Sequence, residues 1–247
     1  MAMNSCYELR ACYDLPYVRH PSVYELPEET ARRLKHGYYA CVSYVDACVG
    51  RLMDGLEELG LADDTIVVLW GDHGWKLGEH GSWCKQTNYV IDTRVPLLIR
   101  DPRREGSSGR TAQLVELVDL FPTLCDLTGI DSPRHLEGTS LVPLFEQPER
   151  AVKSAAFSQY VRRPKNSPDG KRYMGHSMVT ERYHYVEWRP WDHDSKTAGD
   201  LVAVELYDLE TDPEENVNIS GRSENAEIVE DLARRLEEDW EAAGRPE

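Results

Sequence analysis

No apolar run in the chain approaches the roughly 20 residues that a bilayer-spanning helix needs, so no membrane span is expected. The first 30 residues carry Glu8, Arg10, Asp14 and several prolines but no apolar stretch, so no secretory signal is visible among them. That places the protein in the cytoplasm or its true N-terminus elsewhere. Positive charge is scarce: 28 Lys and Arg face 44 Asp and Glu, for a formal net charge of -16. No basic field exists to draw in nucleic acid, which is not expected as a partner. An anionic substrate would likewise gain nothing at long range and must be held by a few local cations. The six cysteines, Cys6, Cys12, Cys41, Cys48, Cys84 and Cys125, form no CxxC pair, which excludes zinc-ribbon and thioredoxin-like motifs. Cys41 and Cys48 stand seven apart on one face of an expected helix and are expected to be buried free thiols. Internal repeats and low-complexity tracts are also missing.

What is present suits a globular protein: 40% hydrophobic and 29% charged residues in 247, enough for one large domain or a domain with an appendage. Residues 1–27 are irregular, punctuated by Pro16, Pro21 and Pro27. From Glu28 the apolar residues Leu34, Tyr38, Val42, Val45, Val49, Leu52, Leu56 and Leu59 recur at three- and four-residue steps. The pattern predicts a helix of about 30 residues, with acidic Glu28 and Glu29 in its first turn and Gly60 at its end. Ile66–Trp70 and Val95–Ile99 read as two buried strands. Leu114–Leu127 predicts a helix interrupted at Phe121-Pro122. Glu137–Phe145 looks like a turn with a small apolar anchor. Past about Gln147 the character changes to short β-branched and aromatic runs, at 155–161, 178–180, 183–188 and 202–207, which predict a small antiparallel sheet. An acidic turn at 208–218 follows, and then an amphipathic helix over 227–242 with Ile228, Leu232, Leu236 and Trp240 on one face.

The chemistry concentrates between Thr65 and Pro96. An apolar strand runs directly into Gly71-Asp72-His73-Gly74, and Gly78 and Gly81 interrupt a segment bearing Glu79, His80 and Lys85. Polar groups at the carboxyl end of a buried strand are where open α/β sheets place their sites, and long loops in compact domains are disproportionately functional. Asp72 and His73 can ligate one divalent metal; an aspartate cap and a backbone-bonded histidine explain the same two residues. Lys85 can return to the strand end and offer an ammonium to an anion, or it can be a solvated loop lysine. Glu79 and His80 suit hydrogen bonds that stabilise the loop. Trp75 and Trp83 flank the segment and can wall a pocket or simply pack.

The stretch GDHGWKLGEHGSWCKQTNYVIDTRVPLLIRDP resembles the sulfatase family, most closely its iduronate-2-sulfatase-like branch. YYACVSYVDACVGRLMDGLEELGLADDTIVVLWGDHG, LVELVDLFPTLCDLTGI, LEGTSLVPLF, AFSQY, MGHSM and ELYDLETDPEENVNI extend the resemblance over nearly the whole chain from about Glu28. It implies an α/β alkaline-phosphatase-like sulfatase fold. Residues 1–146 would be the C-terminal part of its mixed-sheet domain with flanking helices, and 147–247 a small antiparallel-sheet and helix subdomain. It also implies roles. Asp72 and His73 would be ligands to calcium; calcium prefers oxygen, so hydrogen bonding to the sulfate-bearing nucleophile is the other role for His73. Lys85 would bind sulfate oxygens and stabilise the charge that develops as the ester breaks. Trp75, Arg172 and His176 would contact the sugar or its carboxylate. The implied substrate is a sulfated sugar or glycosaminoglycan-like carbohydrate, and the full-length protein would be periplasmic, secreted or lysosome-like.

Two parts of the family pattern are missing: the Cys/Ser-x-Pro/Ala-x-Arg signature that yields formylglycine, and the early aspartate pair that completes the metal site. Cys6-Tyr7-Glu8-Leu9-Arg10 has the Cys-to-Arg spacing, but Glu8 stands where Pro or Ala belongs. The chain therefore resembles the C-terminal half of a sulfatase, expected to be inactive alone and able to pair with an N-terminal sulfatase fragment. Two rivals stay open. One is a metal-dependent phosphodiesterase or phosphatase of the same superfamily, with zinc at Asp72 and His73. The other is a non-catalytic carbohydrate-binding remnant.

Overall fold

The computed structural model describes residues 26–104, 109–164, 167 and 169–242, and the side chains of these up to residue 238. The near-signature Cys6–Arg10, Cys12 and the side chain of Trp240 lie outside them. Two compact units emerge. The first runs up to Thr87 and includes Ile91–Glu105, and the second joins Asn88–Val90 to the residues from Gly106 onward.

The first unit begins with α1, Glu28–Glu58. The helix forms where the three- and four-residue periodicity predicts it and ends before Gly60, whose φ of 66° no β-branched residue would adopt comfortably. Strand β1, Val67–Trp70, pairs antiparallel with β4, Leu97–Arg100, with Val68 opposite Ile99. Between them the chain forms a miniature hairpin, β2 (Lys76–Leu77) against β3 (Trp83–Cys84), and a one-turn helix α2, Val90–Thr93. The segment between the two strands is thus largely ordered by its own pairing. Leu26, Ala31 and Leu34 at the start of α1 pack on Trp83 and Cys84.

Two expectations fail in this unit, for one reason. Both strands read as fully buried, yet Trp70 is 50% exposed and Leu98 57% exposed. Cys41 and Cys48, expected to be buried, are exposed free thiols, whereas Cys84 and Cys125 are buried ones. An apolar pattern records that a face is built for burial, and among the described residues of this unit nothing covers these faces.

The second unit holds the antiparallel sheet predicted past residue 147. Strands β5 (Ala156–Arg162), β6 (Tyr173–Val179) and β7 (Tyr183–Asp192) lie in order. β7 also pairs at its far end with β8, Thr197–Ala198, and along its first half with β9, Ala203–Asp208. Ahead of the sheet, α3 (Leu120–Thr128) begins at Leu120, so Pro122 falls in its first turn, where no helical hydrogen bond needs its missing N–H, and the expected interruption does not occur. Helix α4, Pro143–Glu146, seats Leu144 in the interior, so the expected apolar anchor is real. Helix α5, Ala226–Ala242, sends Leu232 and Leu236 onto Ala155, Met178, Tyr185 and Leu206. Alternation along β7 points Tyr185 into that layer and Val186 and Trp188 to the opposite face, where they meet Tyr173.

That opposite face is unusually polar. His184 is fully buried, with Nε2 3.0 Å from Ser177 Oγ and Nδ1 paired to Glu215. The other Glu215 oxygen accepts the Val90 N–H at 2.7 Å. Glu215 is held at φ 57°, a left-handed conformation stabilised by these two contacts and by its own N–H, which donates to the Asp212 carbonyl at 3.0 Å. Tyr89, Tyr185 and Tyr207 are buried beside carboxylates, and burial is the main force raising each phenol; Tyr89 is pushed up to about 12. A phenol whose folded pKa is raised contributes stability that is intact below pH 10 and is lost as pH rises beyond it. The second unit is therefore expected to lose stability as pH rises from about 10 towards 12. Tyrosinate absorbance should appear together with the loss of circular dichroism; tyrosinate rising well before structure is lost would contradict these burials.

Candidate functional site

β1 delivers its carboxyl end to Gly71, whose N–H donates to the Pro96 carbonyl at 3.1 Å. Asp72 follows with its side chain 84% exposed, and His73 Nε2 lies 3.6 Å from Asp72 Oδ2. His73 Nδ1 sits 2.9 Å from the Gly74 carbonyl oxygen. A carbonyl only accepts, so Nδ1 carries a proton, and Nε2 is the nitrogen facing Asp72. Gly74 in turn donates to the Asp92 carbonyl at 2.7 Å, and a Cβ there would sit 1.9 Å from the Ile91 carbonyl oxygen. Only glycine fits that crossing.

Trp75 is the hub. Its ring stacks on His73 (centroids 6.0 Å apart) and on Tyr38 of α1 (6.3 Å), and the Lys85 ammonium stands 5.4 Å from its centroid. Three residues proposed from sequence, His73, Trp75 and Lys85, are thus gathered by one indole at the end of β1, with Asp72 beside them. Lys85 reaches this place through strained backbone: His80, Cys84 and Gln86 all have positive φ, at 53°, 68° and 84°. Non-glycine residues in that region cost about 1–3 kcal/mol each and persist where the surroundings over-determine them, commonly at functional sites. Glu79 and Gly78 do local work: the Leu77 N–H donates to the Glu79 carboxylate, and the Gly78 N–H donates to the Ser82 carbonyl at 3.0 Å.

What over-determines the loop is a buried ion pair that the sequence did not reveal. Lys76 is fully buried and paired with Asp92, and its ammonium also donates to Thr87 Oγ1 at 3.2 Å. The Thr87 N–H and hydroxyl both donate to the same Asp92 oxygen. Burial pulls the Lys76 pKa below its ordinary value, and Asp92 opposes that pull. The pair closes the segment 76–92 on itself, so Lys85 departs from a rigid base. Two lysines nine residues apart, similar on paper, do different things: one is a buried structural cation and the other stands over the Trp75 ring.

Arg172 and His176 lie in the second unit. Arg172 directly precedes β6 and its carbonyl accepts the Trp191 N–H at 3.0 Å, while its positive charge helps hold Asp192 below the usual carboxylate range behind the larger effect of Ser195 and Asp194 backbone hydrogen bonds. His176 is half-buried on β6 opposite Glu187, and burial lowers its pKa. Nearby, Arg162 is buried with its guanidinium 5.4 Å from the Trp188 ring centroid, and Glu205 accepts the Trp188 indole N–H at 3.0 Å. Neither Arg162 nor Glu205 was singled out from sequence; a charged residue inside a β-branched and aromatic run was the available signal.

A calcium ion takes roughly six to eight oxygen ligands. Among the described residues no group of three or more His, Cys, Asp or Glu converges, so Asp72 and His73 by themselves do not make such a site. No helix among them is long and apolar enough to cross a membrane.

Comparison with known proteins identifies the family. A family model described as Sulfatase matches residues 9–130, and one described as N-sulphoglucosamine sulphohydrolase, C-terminal, matches residues 78–242. Iduronate 2-sulfatase of Mus musculus is 33% identical over 264 residues, covering 84% of this chain and 47% of the mouse protein. A solved protein in complex with its substrate D-glucosamine-2-N,6-O-disulfate superposes with a TM-score of 0.70 at 31% identity, over 82% of this chain and 39% of its own. The phosphonate monoester hydrolase of Agrobacterium radiobacter superposes with a TM-score of 0.69 at 29% identity, over 83% of this chain and 41% of its own. The chain thus spans about half the length, or less, of the proteins it matches.

Proposed function

Because the chain belongs to the sulfatase family and its alkaline-phosphatase-like fold, we propose that it forms the C-terminal part of an enzyme hydrolysing sulfate esters of a sugar. The observation that carries this reading is the convergence of His73, Trp75 and Lys85 at the end of β1. Lys85 supplies the local cation that an anionic substrate needs in a protein of net charge -16. Its ammonium holds sulfate oxygens and offsets the negative charge that grows on them as the ester bond breaks. Trp75 offers an apolar face for the sugar ring and keeps water from the ammonium, which strengthens the interaction. His73, with Nδ1 tied to the Gly74 carbonyl, presents Nε2 as acceptor or ligand in a fixed orientation. Asp72 would give one oxygen to a divalent metal whose remaining ligands come from outside the described residues. The nucleophile for sulfur, a formylglycine, would likewise come from the complementary N-terminal part. Arg172, just ahead of β6, has the forked donor geometry that a uronate carboxylate suits, and His176 lies on β6 itself.

The test is hydrolysis. The chain alone is expected to release no sulfate from an aryl sulfate or a sulfated glucosamine. Co-produced with the N-terminal part of mouse iduronate 2-sulfatase, in a host that makes formylglycine, it is expected to gain that activity. Turnover by the isolated chain would overturn the assignment of the nucleophile to the other part. The likeness to a phosphonate monoester hydrolase supports a second reading, phosphonate or phosphate diester hydrolysis at the same residues. A completed protein that cleaves a phosphonate monoester faster than a sulfate ester would favour it.

A further inference from the structure

Asn88, Tyr89 and Val90 belong to the second unit, although the residues on either side, up to Thr87 and from Ile91, belong to the first. Lys85 stands just ahead of this segment in the chain, and α2 begins at its last residue. What holds the segment comes from distant chain. One Glu215 oxygen accepts the Val90 N–H at 2.7 Å, across 125 residues, and the other is paired with His184. Behind His184 stands Ser177, its Oγ 3.0 Å from Nε2, and behind Ser177 stands Ser158 at 3.1 Å. Glu215, His184 and Ser177 are 2%, 0% and 1% exposed.

The other two residues of the segment are seated by shape. Tyr89 packs on Tyr207, with ring centroids 5.9 Å apart. The buried Asn88 amide has no hydrogen-bond partner among the described residues, and a Cβ at position 175 would stand 2.3 Å from its Nδ2, so only Gly175 leaves it room. A buried carboxylate is a poor way to strengthen a sheet, because an apolar residue of similar volume is often as stable or better. What the carboxylate adds is direction. Here that direction is used on a single backbone N–H close to Lys85 in the chain.

We propose that Glu215, oriented by His184, is a positioning residue for Lys85: it pins Val90 and so fixes the backbone on which the Lys85 loop closes. It is not a catalytic residue and acts only through Lys85. Catalysis is sensitive to such placement, and a misplacement of about 1 Å can lower rates by about a hundredfold. The inference rests on the sulfatase reading only for what Lys85 does in its fixed position, and its first test needs no turnover.

On the chain itself, hydrogen exchange at the Val90 amide is followed by NMR, and acetylation of each lysine by peptide mass spectrometry. Glu215→Ala removes the acceptor. Gly175→Ala displaces Asn88 without removing any charge, and serves if Glu215→Ala does not fold. In both variants Val90 should exchange about ten- to a hundredfold faster, the range set by one hydrogen bond to a charged acceptor. Lys85 should acetylate severalfold faster than in the parent, with the 71% exposed Lys171 as internal standard. Buried Lys76 should stay unreactive. Two outcomes overturn the inference: Lys85 unchanged beside a freed Val90, or Lys76 reactive as well, which would make Glu215 a support for the whole loop. In the completed enzyme, Glu215→Ala should lower kcat/KM by about a hundredfold when Lys85 is present and hardly at all in a Lys85→Met background. An equal fall in both backgrounds would mean general destabilisation and would also overturn it. Faster Lys85 acetylation in the variants, with no sulfate-ester hydrolysis by the completed parent, would keep the positioning role and remove the functional reading. Hydrolysis with unchanged acetylation would do the reverse.

Discussion

Replacing Lys85 with methionine is expected to lower kcat/KM for sulfate-ester hydrolysis by the completed enzyme by roughly a hundred- to a thousandfold. The figure is what removal of one preorganised charge-stabilising group costs when charge develops in a water-poor site. Lys85 is half-buried and rests on the Trp75 ring. Losing that cation–π contact costs only about 0.5–1 kcal/mol of stability, so the melting midpoint should hardly move while activity collapses. Lys85→Arg preserves the charge but spreads it over a planar fork on a differently shaped stem, and should recover part of the binding and less of the turnover. A Lys85→Met enzyme within about tenfold of the parent would remove Lys85 from the machinery. It would leave the His73–Trp75–Lys85 cluster as packing.

The second large effect is on stability and concerns the other lysine. Lys76→Met leaves Asp92 buried, with one carboxylate oxygen already lacking a hydrogen-bond partner among the described residues and the other relying on Thr87 alone. Removing one partner of a buried pair typically costs about 3–5 kcal/mol, because the remaining charge has neither water nor counter-ion. Asp92→Leu should cost a similar amount by stranding the ammonium. Lys76→Met combined with Asp92→Leu should recover most of the loss, since an apolar pair of similar volume carries no desolvation penalty. Urea denaturation of the chain measures all three. Additive losses in the double variant would mean that the two side chains do not depend on each other. The same substitutions loosen the base from which Lys85 extends, so an intact fold with impaired turnover is the expected phenotype of the double variant in the completed enzyme.

Much of the architecture follows from short-range chemistry. Spacing of apolar residues places α1 and α5, alternation of β-branched and aromatic residues places the sheet of β5–β9, and the glycines at 60 and 129 end helices because both adopt positive φ. These patterns are legible because secondary structure repeats along the chain itself. The motif residues are legible for a related reason: Asp72, His73, Trp75 and Lys85 lie within 14 residues of one strand end, and a turn brings them together without help from distant chain.

Other properties had no local signature. Nothing in the string WKLGEHGSWCK distinguishes Lys76, which is buried, from Lys85, which stands over the Trp75 ring; the register of a two-residue hairpin and the position of Asp92 decide it. His184 and Glu215 are 31 residues apart and meet only because β6, β7 and the acidic turn after β9 converge. The exposure of Cys41 and Cys48 runs against their sequence setting because burial belongs to whatever packs on a face, and not to the face. The sequence by itself determined which segments fold, where they end and which residues could carry the chemistry, all set by propensity, periodicity and side-chain type over a few turns of chain. Only the tertiary structure decided which cation is structural, which polar groups are buried in pairs and which apolar faces stand open, because each depends on long-range contacts that bring separate segments into one dry environment.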